Sequence, residues 1–75
     1  MAKATKFSRR TFGIAVRNER QKLGLSQEDF AERANVHRTY ISSIELGKVN
    51  VGIEVANELA GALGLRLSEL VQIAE

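Results

Sequence analysis

Arg38, Thr39, Ser42 and Ser43 put one guanidinium and three hydroxyls within six residues, with Ile41 and Ile44 set among them. On a helix the two isoleucines share one side and the four polar groups take the other. A guanidinium carries a rigid fork of donors, and a hydroxyl both donates and accepts. Such a face suits hydrogen-bonded recognition of a surface. The residues that could do other chemistry have plainer readings. Glu28, Asp29 and Glu32 resemble paired carboxylates for acid–base or metal work, but the first two sit where a helix N-terminus favours negative charge. Glu32 falls one turn from Glu28 on the exposed face. His37 is the one histidine and has no Asp or Cys beside it to make it a catalyst or ligand. Cysteine is absent, which excludes disulfides and thiolate metal sites. The chain reads as no enzyme, with no metal and no cofactor; a core this small cannot enclose a substrate pocket, and no small-molecule ligand is evident.

The elements that must position the polar face are helices. The sequence has no proline, only 5% aromatics and no sustained alternation of apolar and polar residues, so strands are not expected. Phe12, Val16, Arg20 and Leu23 share one face of a first helix, capped by Ser8 and ended by Gly24. Ser26 caps a second, with Phe30, Ala31 and Ala34 inward, and Asn35 ends it in a residue tolerant of positive φ. His37 takes the N-cap of a third, with Val36, Ile41 and Ile44 inside, stopping near Gly47. A fourth spans Ile53–Leu63, with Ile53, Ala56, Leu59, Ala60 and Leu63 inward, and ends at Gly64. Leu67–Ala74 forms a fifth. The expectation is an all-α, five-helix domain over residues 8–75, preceded by a flexible basic arm at residues 1–7. At 75 residues it buries only about 60% of its unfolded surface, so stability depends on efficient helix packing or a second subunit.

Charge is unevenly placed. Residues 1–22 hold seven Lys and Arg against Glu19 alone, whereas residues 23–75 hold four against eight acids. That asymmetry suggests one face for a polyanion and another turned away from it. Apolar runs of three or four residues make no membrane span, and no signal peptide can be drawn at the start, so a cytoplasmic protein is expected.

Two short helices joined by about three residues must cross closely, which restricts residue types. Ala31 supplies the small inner position, Asn35 the turn, and Val36, Ile41 and Ile44 the residues that lock the second helix onto the first. Residues 27–45 thus carry the pattern of a helix-turn-helix, whose second helix lies in the DNA major groove. In that setting Arg38 can reach guanine O6 and N7 with both arms, its alternative being a solvated charge or a phosphate contact. Thr39 can offer its hydroxyl or touch a thymine methyl, and Ser42 and Ser43 extend the same base-reading side. His37 is expected to cap the helix or touch a backbone phosphate. Tyr40 packs its ring at the domain edge and is a candidate to point its hydroxyl at a phosphate.

The run LGLSQEDFAERANVHRTYISSIELGK resembles the Xre/Cro/C1-type helix-turn-helix family of phage repressors and small bacterial regulators, over Phe12 to about Val71. HRTYISSIELGKVNV is closest in flavour to the controller proteins of restriction–modification systems. The resemblance implies a lambda-repressor-like fold and a sequence-specific DNA-binding transcriptional regulator associated with the nucleoid. It assigns Gln27, Lys48 and Asn50 to phosphate contacts, which fix register without reading sequence. It also pairs Arg20 with Glu45 as a partly buried, structural ion pair. Departures are Glu19 in place of a leucine, Gly52 in place of a Ser or Thr cap, and Arg66 in place of a Ser cap, which leaves the start of the fifth helix open. Gly13 and Gly61, inside helices, have no account in the sequence.

The acids of the last two helices should face away from DNA. Leu65, Leu67, Leu70, Val71 and Ile73 exceed what one small core covers, so a symmetric homodimer through the last helix is expected, on a palindromic operator. The alternative is an antitoxin-like or adaptor protein whose main partner is another protein.

Overall fold

The computed structural model describes residues 6–75, in five helices: α1 (Arg9–Lys22), α2 (Gln27–Ala34), α3 (Arg38–Glu45), α4 (Ile53–Ala62) and α5 (Leu67–Ala74). Side-chain caps satisfy free N–H groups at the starts of α1 and α2, whereas α3 and α4 start without one. At α1 the Ser8 hydroxyl accepts from the Thr11 N–H at 3.2 Å, while Thr11 Oγ1 accepts from the Ser8 N–H at 2.9 Å. Phe7, just before the cap, stacks edge-on against Phe12 with ring centroids 6.1 Å apart, an apolar clamp across the helix start. Phe7, the last residue of the expected arm, makes this contact while 41% exposed, and residues 1–5 of that arm lie outside the described residues. Ser26 Oγ accepts from the Asp29 N–H at 3.0 Å to start α2. The start of α5, left open by Arg66, is fixed from the other direction, because Glu69 Oε1 accepts from the Arg66 N–H at 2.8 Å.

Phe30, Ile41, Ile44, Leu59, Leu70 and Val16 are the largest fully buried side chains, and they come from all five helices. α1 lies across α3 and α5, α2 packs on α3 and α4, and α4 on α5. The approach of α1 to α3 is close enough to explain Gly13. A Cβ built there would stand 2.1 Å from the Ile44 carbonyl oxygen and 3.0 Å from that of Glu45. Gly61 has open space around it and no structural account.

Three positions fall on the other side of the surface from their sequence expectation. Leu23 is the C-cap of α1, where the helical repeat stops, and is 51% exposed. Ile53 begins α4 at the edge of the bundle and is 76% exposed. Leu70, expected at a dimer interface, is fully buried within its own chain, because α5 turns Leu70 and Ala74 inward against α1 and α4.

The turn between α2 and α3 is held by Asn35, whose φ of 58° and ψ of 45° are left-handed. Most side chains pay about 1–2 kcal/mol in that region, and Asn less. Asn35→Ala should lower stability to urea by about 1 kcal/mol, while Asn35→Gly should lose almost nothing. Equal losses for both variants would show that the turn does not depend on the backbone freedom of this residue.

Candidate nucleic-acid interface

α3 is held from beneath by two fully apolar anchors. Ile41 and Ile44 are 0% and 1% exposed, so the helix cannot roll without breaking the core. That fixes the opposite side outward. Arg38 and Thr39 are exposed at its first turn, and Ser42 and Ser43 are half-buried further along. Tyr40 is half-buried with its side chain packed against the core. His37 stands at the N-cap, exposed, and makes no side-chain capping hydrogen bond. Its expected capping role is therefore not what the structure displays; the backbone of α3 starts on extended φ and ψ without it.

The C-terminal turn of α3 is tied to α1 by charge. Arg20 Nε donates to Glu45 Oε2 at 2.6 Å, and Nη2 donates to Oε1 at 3.0 Å, a two-pronged pair that is buried on both sides. Nη1 of the same guanidinium donates to the Leu25 carbonyl at 2.7 Å. The hydrogen bond to Glu45 raises the pKa of Arg20 above its ordinary value, outweighing the lowering that desolvation brings. Gln27 joins the same network: Nε2 donates to Glu45 Oε1 at 3.1 Å. The resemblance points Gln27 at a phosphate; here one N–H of its amide donates to Glu45, which leaves the second N–H and Oε1 without a hydrogen bond among the described residues. Neither the Leu25 carbonyl nor the Gln27 amide is visible from sequence, since the partners are separated by up to 18 positions and share no periodicity.

Lys48 and Asn50 follow α3 and are both exposed. Asn50 Oδ1 accepts from Arg9 Nη1 at 3.5 Å, which tethers this loop to the start of α1. Gly47, with φ of 71°, lets the chain leave α3 against Arg10, whose Cα would be 2.9 Å from any Cβ added there. Glu19, the departure from leucine, pairs with Lys22 at 2.9 Å at the surface of α1. Glu28 and Glu32 remain exposed on α2, and among the described residues no three His, Cys, Asp or Glu side chains gather as a metal site would need. A feature absent from the sequence reading is an open apolar groove of about 480 Å³, between the start of α1 and α4–α5, lined chiefly by Phe7, Phe12, Val51, Ile53, Leu67 and Val71.

Residues 16–70 match the helix-turn-helix family, a stretch that contains α2, α3, their turn and the Arg20–Glu45 pair. The chain belongs to that family. This helix-turn-helix protein is 47% identical over 51 residues to the control protein C.MunI of a Mycoplasma species, covering 68% of this chain and 69% of that one. It is 41% identical over 61 residues to the control protein C.BamHI of Bacillus amyloliquefaciens, covering 80% and 75%. Its fold superposes on the restriction–modification controller protein C.AhdI of Aeromonas hydrophila with a TM-score of 0.80 at 35% identity, over 83% of this chain and 94% of that one. The resemblance to controller proteins and the all-α fold both hold. The family is one of DNA-binding transcriptional regulators, and no helix among the described residues is long and apolar enough to cross a membrane.

Proposed function

We propose that the protein is a sequence-specific regulator that binds double-stranded DNA as a homodimer, with α3 in the major groove of each half of a palindromic operator. The observation that carries this reading is the fixed roll of α3: two fully buried isoleucines turn Thr39, Ser42 and Ser43 away from the core, and Arg38 stands exposed at the flank of that side in the first turn. Arg38 reads a guanine edge, and Thr39, Ser42 and Ser43 contact bases beside it. His37, Tyr40, Lys48 and Asn50 hold the sugar–phosphate backbone, and the Gln27 side chain does so through whatever donor or acceptor Glu45 leaves free. With Leu70 in the core, the second copy would meet the remaining face of Leu65, Leu67, Val71 and the 49%-exposed Ile73. Two α3 helices then stand about one DNA turn, ~34 Å, apart. Such a protein acts in the cytoplasm, on the nucleoid.

Selection of bound duplexes from a random pool tests the whole reading. It should return a two-fold symmetric motif with half-sites one turn apart. On the selected site Arg38→Ala should weaken binding by about 1–3 kcal/mol and relax preference at one base pair per half-site. Lys48→Ala should instead weaken all duplexes about equally and flatten the salt dependence. An Arg38→Ala protein that selects the same motif as the wild type would mean that α3 does not read bases.

A further inference from the structure

Beside the recognition helix lies a second, smaller cleft of about 250 Å³, lined by Arg17, Arg20, Gln27, Ser42, Glu45 and Leu46. Its charges are not equally free. Each of the three Arg20 guanidinium nitrogens donates, two to the Glu45 oxygens and one to the Leu25 carbonyl, and the Glu45 carboxylate also accepts from Gln27. The two cancel. Arg17, one turn earlier on α1, is exposed, and among the described residues no ion pair or hydrogen bond holds it. One uncompensated positive charge therefore stands on the wall facing Ser42, which belongs to the outward side of α3.

We infer that Arg17 is a further contact to the DNA backbone, taking a phosphate that flanks the stretch of groove occupied by α3. This rests on the DNA-binding reading and extends the interface onto α1, beyond the helix-turn-helix itself. A point charge at the groove edge acts on phosphate without reading sequence. A phosphate oxygen can take a two-pronged hydrogen bond from the free guanidinium, and the Ser42 hydroxyl across the cleft is a second donor. The fixed Arg20–Glu45 pair serves this contact by holding both walls at a set separation.

The test is the salt dependence of binding to a random-sequence duplex, followed for the wild type and for Arg17→Gln, Arg17→Lys and Arg66→Gln. Each phosphate contact contributes about 0.9 to the slope of log affinity against log salt. Arg17→Gln should lower that slope by about 0.9 per bound protomer. Arg17→Lys should restore it, and Arg66→Gln, which removes the same charge from the cap of α5, should leave it unchanged. Thermal midpoints should stay at the wild-type value for all three. If Arg17→Gln changes the slope no more than Arg66→Gln does, Arg17 touches no phosphate, although DNA binding by the wild type stands. If the wild type shows no salt-dependent binding to any duplex, the DNA reading falls and this inference with it.

Discussion

Arg20→Ala should destabilise the protein by about 3–5 kcal/mol, because it leaves the Glu45 carboxylate buried without a counter-charge. Both partners are sheltered, with side-chain exposures of 10% and 3%. The Coulomb and hydrogen-bond energy of the pair largely offsets the desolvation of its two charges, so the net value of the intact pair is small. Removing one member exposes the desolvation cost of the other. The Leu25 carbonyl also loses its donor, while Gln27 keeps Glu45. A domain of this size has roughly 5 kcal/mol to lose, so the variant should be largely unfolded or close to it at room temperature. Replacing both partners with apolar residues of similar volume, as in Arg20→Met with Glu45→Leu, should recover much of the loss. Urea unfolding followed by far-ultraviolet circular dichroism gives the comparison, and a single variant within about 1 kcal/mol of wild type would show the pair to be wet rather than buried. The pair should show no loss on the alkaline side across ordinary working pH. Arg20 has its pKa raised in the fold, so its share is complete below the unfolded value and fades only as pH climbs through the folded one.

The same pair shows where sequence reading succeeds and where it ends. Caps and turns are local matters. Ser8 and Ser26 accept from N–H groups three residues on, and Asn35 takes left-handed angles, all within reach of a short window of residues. Ile41 and Ile44 are legible for the same reason, since three positions apart on a helix means one face. Burial of an edge residue is another matter. Leu23 and Ile53 fit the helical repeat but stand at helix ends, the first as the C-cap of α1 and the second as the opening residue of α4, and both are exposed. Leu70 failed in the opposite sense. An aliphatic surplus in α5 looks like a second interface until α1 and α4 close over it, and only tertiary packing decides between them. The outward residues of α3 were legible as a polar stripe. Arg17 was not, because its place beside Ser42 depends on how α1 crosses α3, and no spacing along the chain encodes that crossing.

That crossing makes a sharp prediction at Gly13. Intrinsic propensity favours Ala over Gly inside a helix by about 1 kcal/mol, so on local grounds Gly13→Ala should stabilise α1. Tertiary contact reverses the sign. The added methyl would meet the Ile44 carbonyl oxygen at 2.1 Å, where ordinary contact begins near 3.4 Å, and the obstacle is backbone that cannot rotate aside. α1 and α3 must part by more than 1 Å, and a clash this short against backbone belongs at the upper end of the overpacking range, about 3 kcal/mol, above the propensity gain. The displacement falls on the last turn of α3, so it also stretches the Glu45 bonds to Arg20 and Gln27 and moves the outward face of the helix. Gly13→Ala should therefore lose both stability and affinity for the selected operator. Gly61→Ala is the matched control, since its new methyl meets nothing within 4 Å and the residue is helical. It should gain about 0.5–1 kcal/mol and leave DNA binding unchanged. Opposite signs for one substitution at two helical glycines would place the difference in the α1–α3 approach. A Gly13→Ala protein as stable as Gly61→Ala would mean that the two helices do not pack this closely in solution.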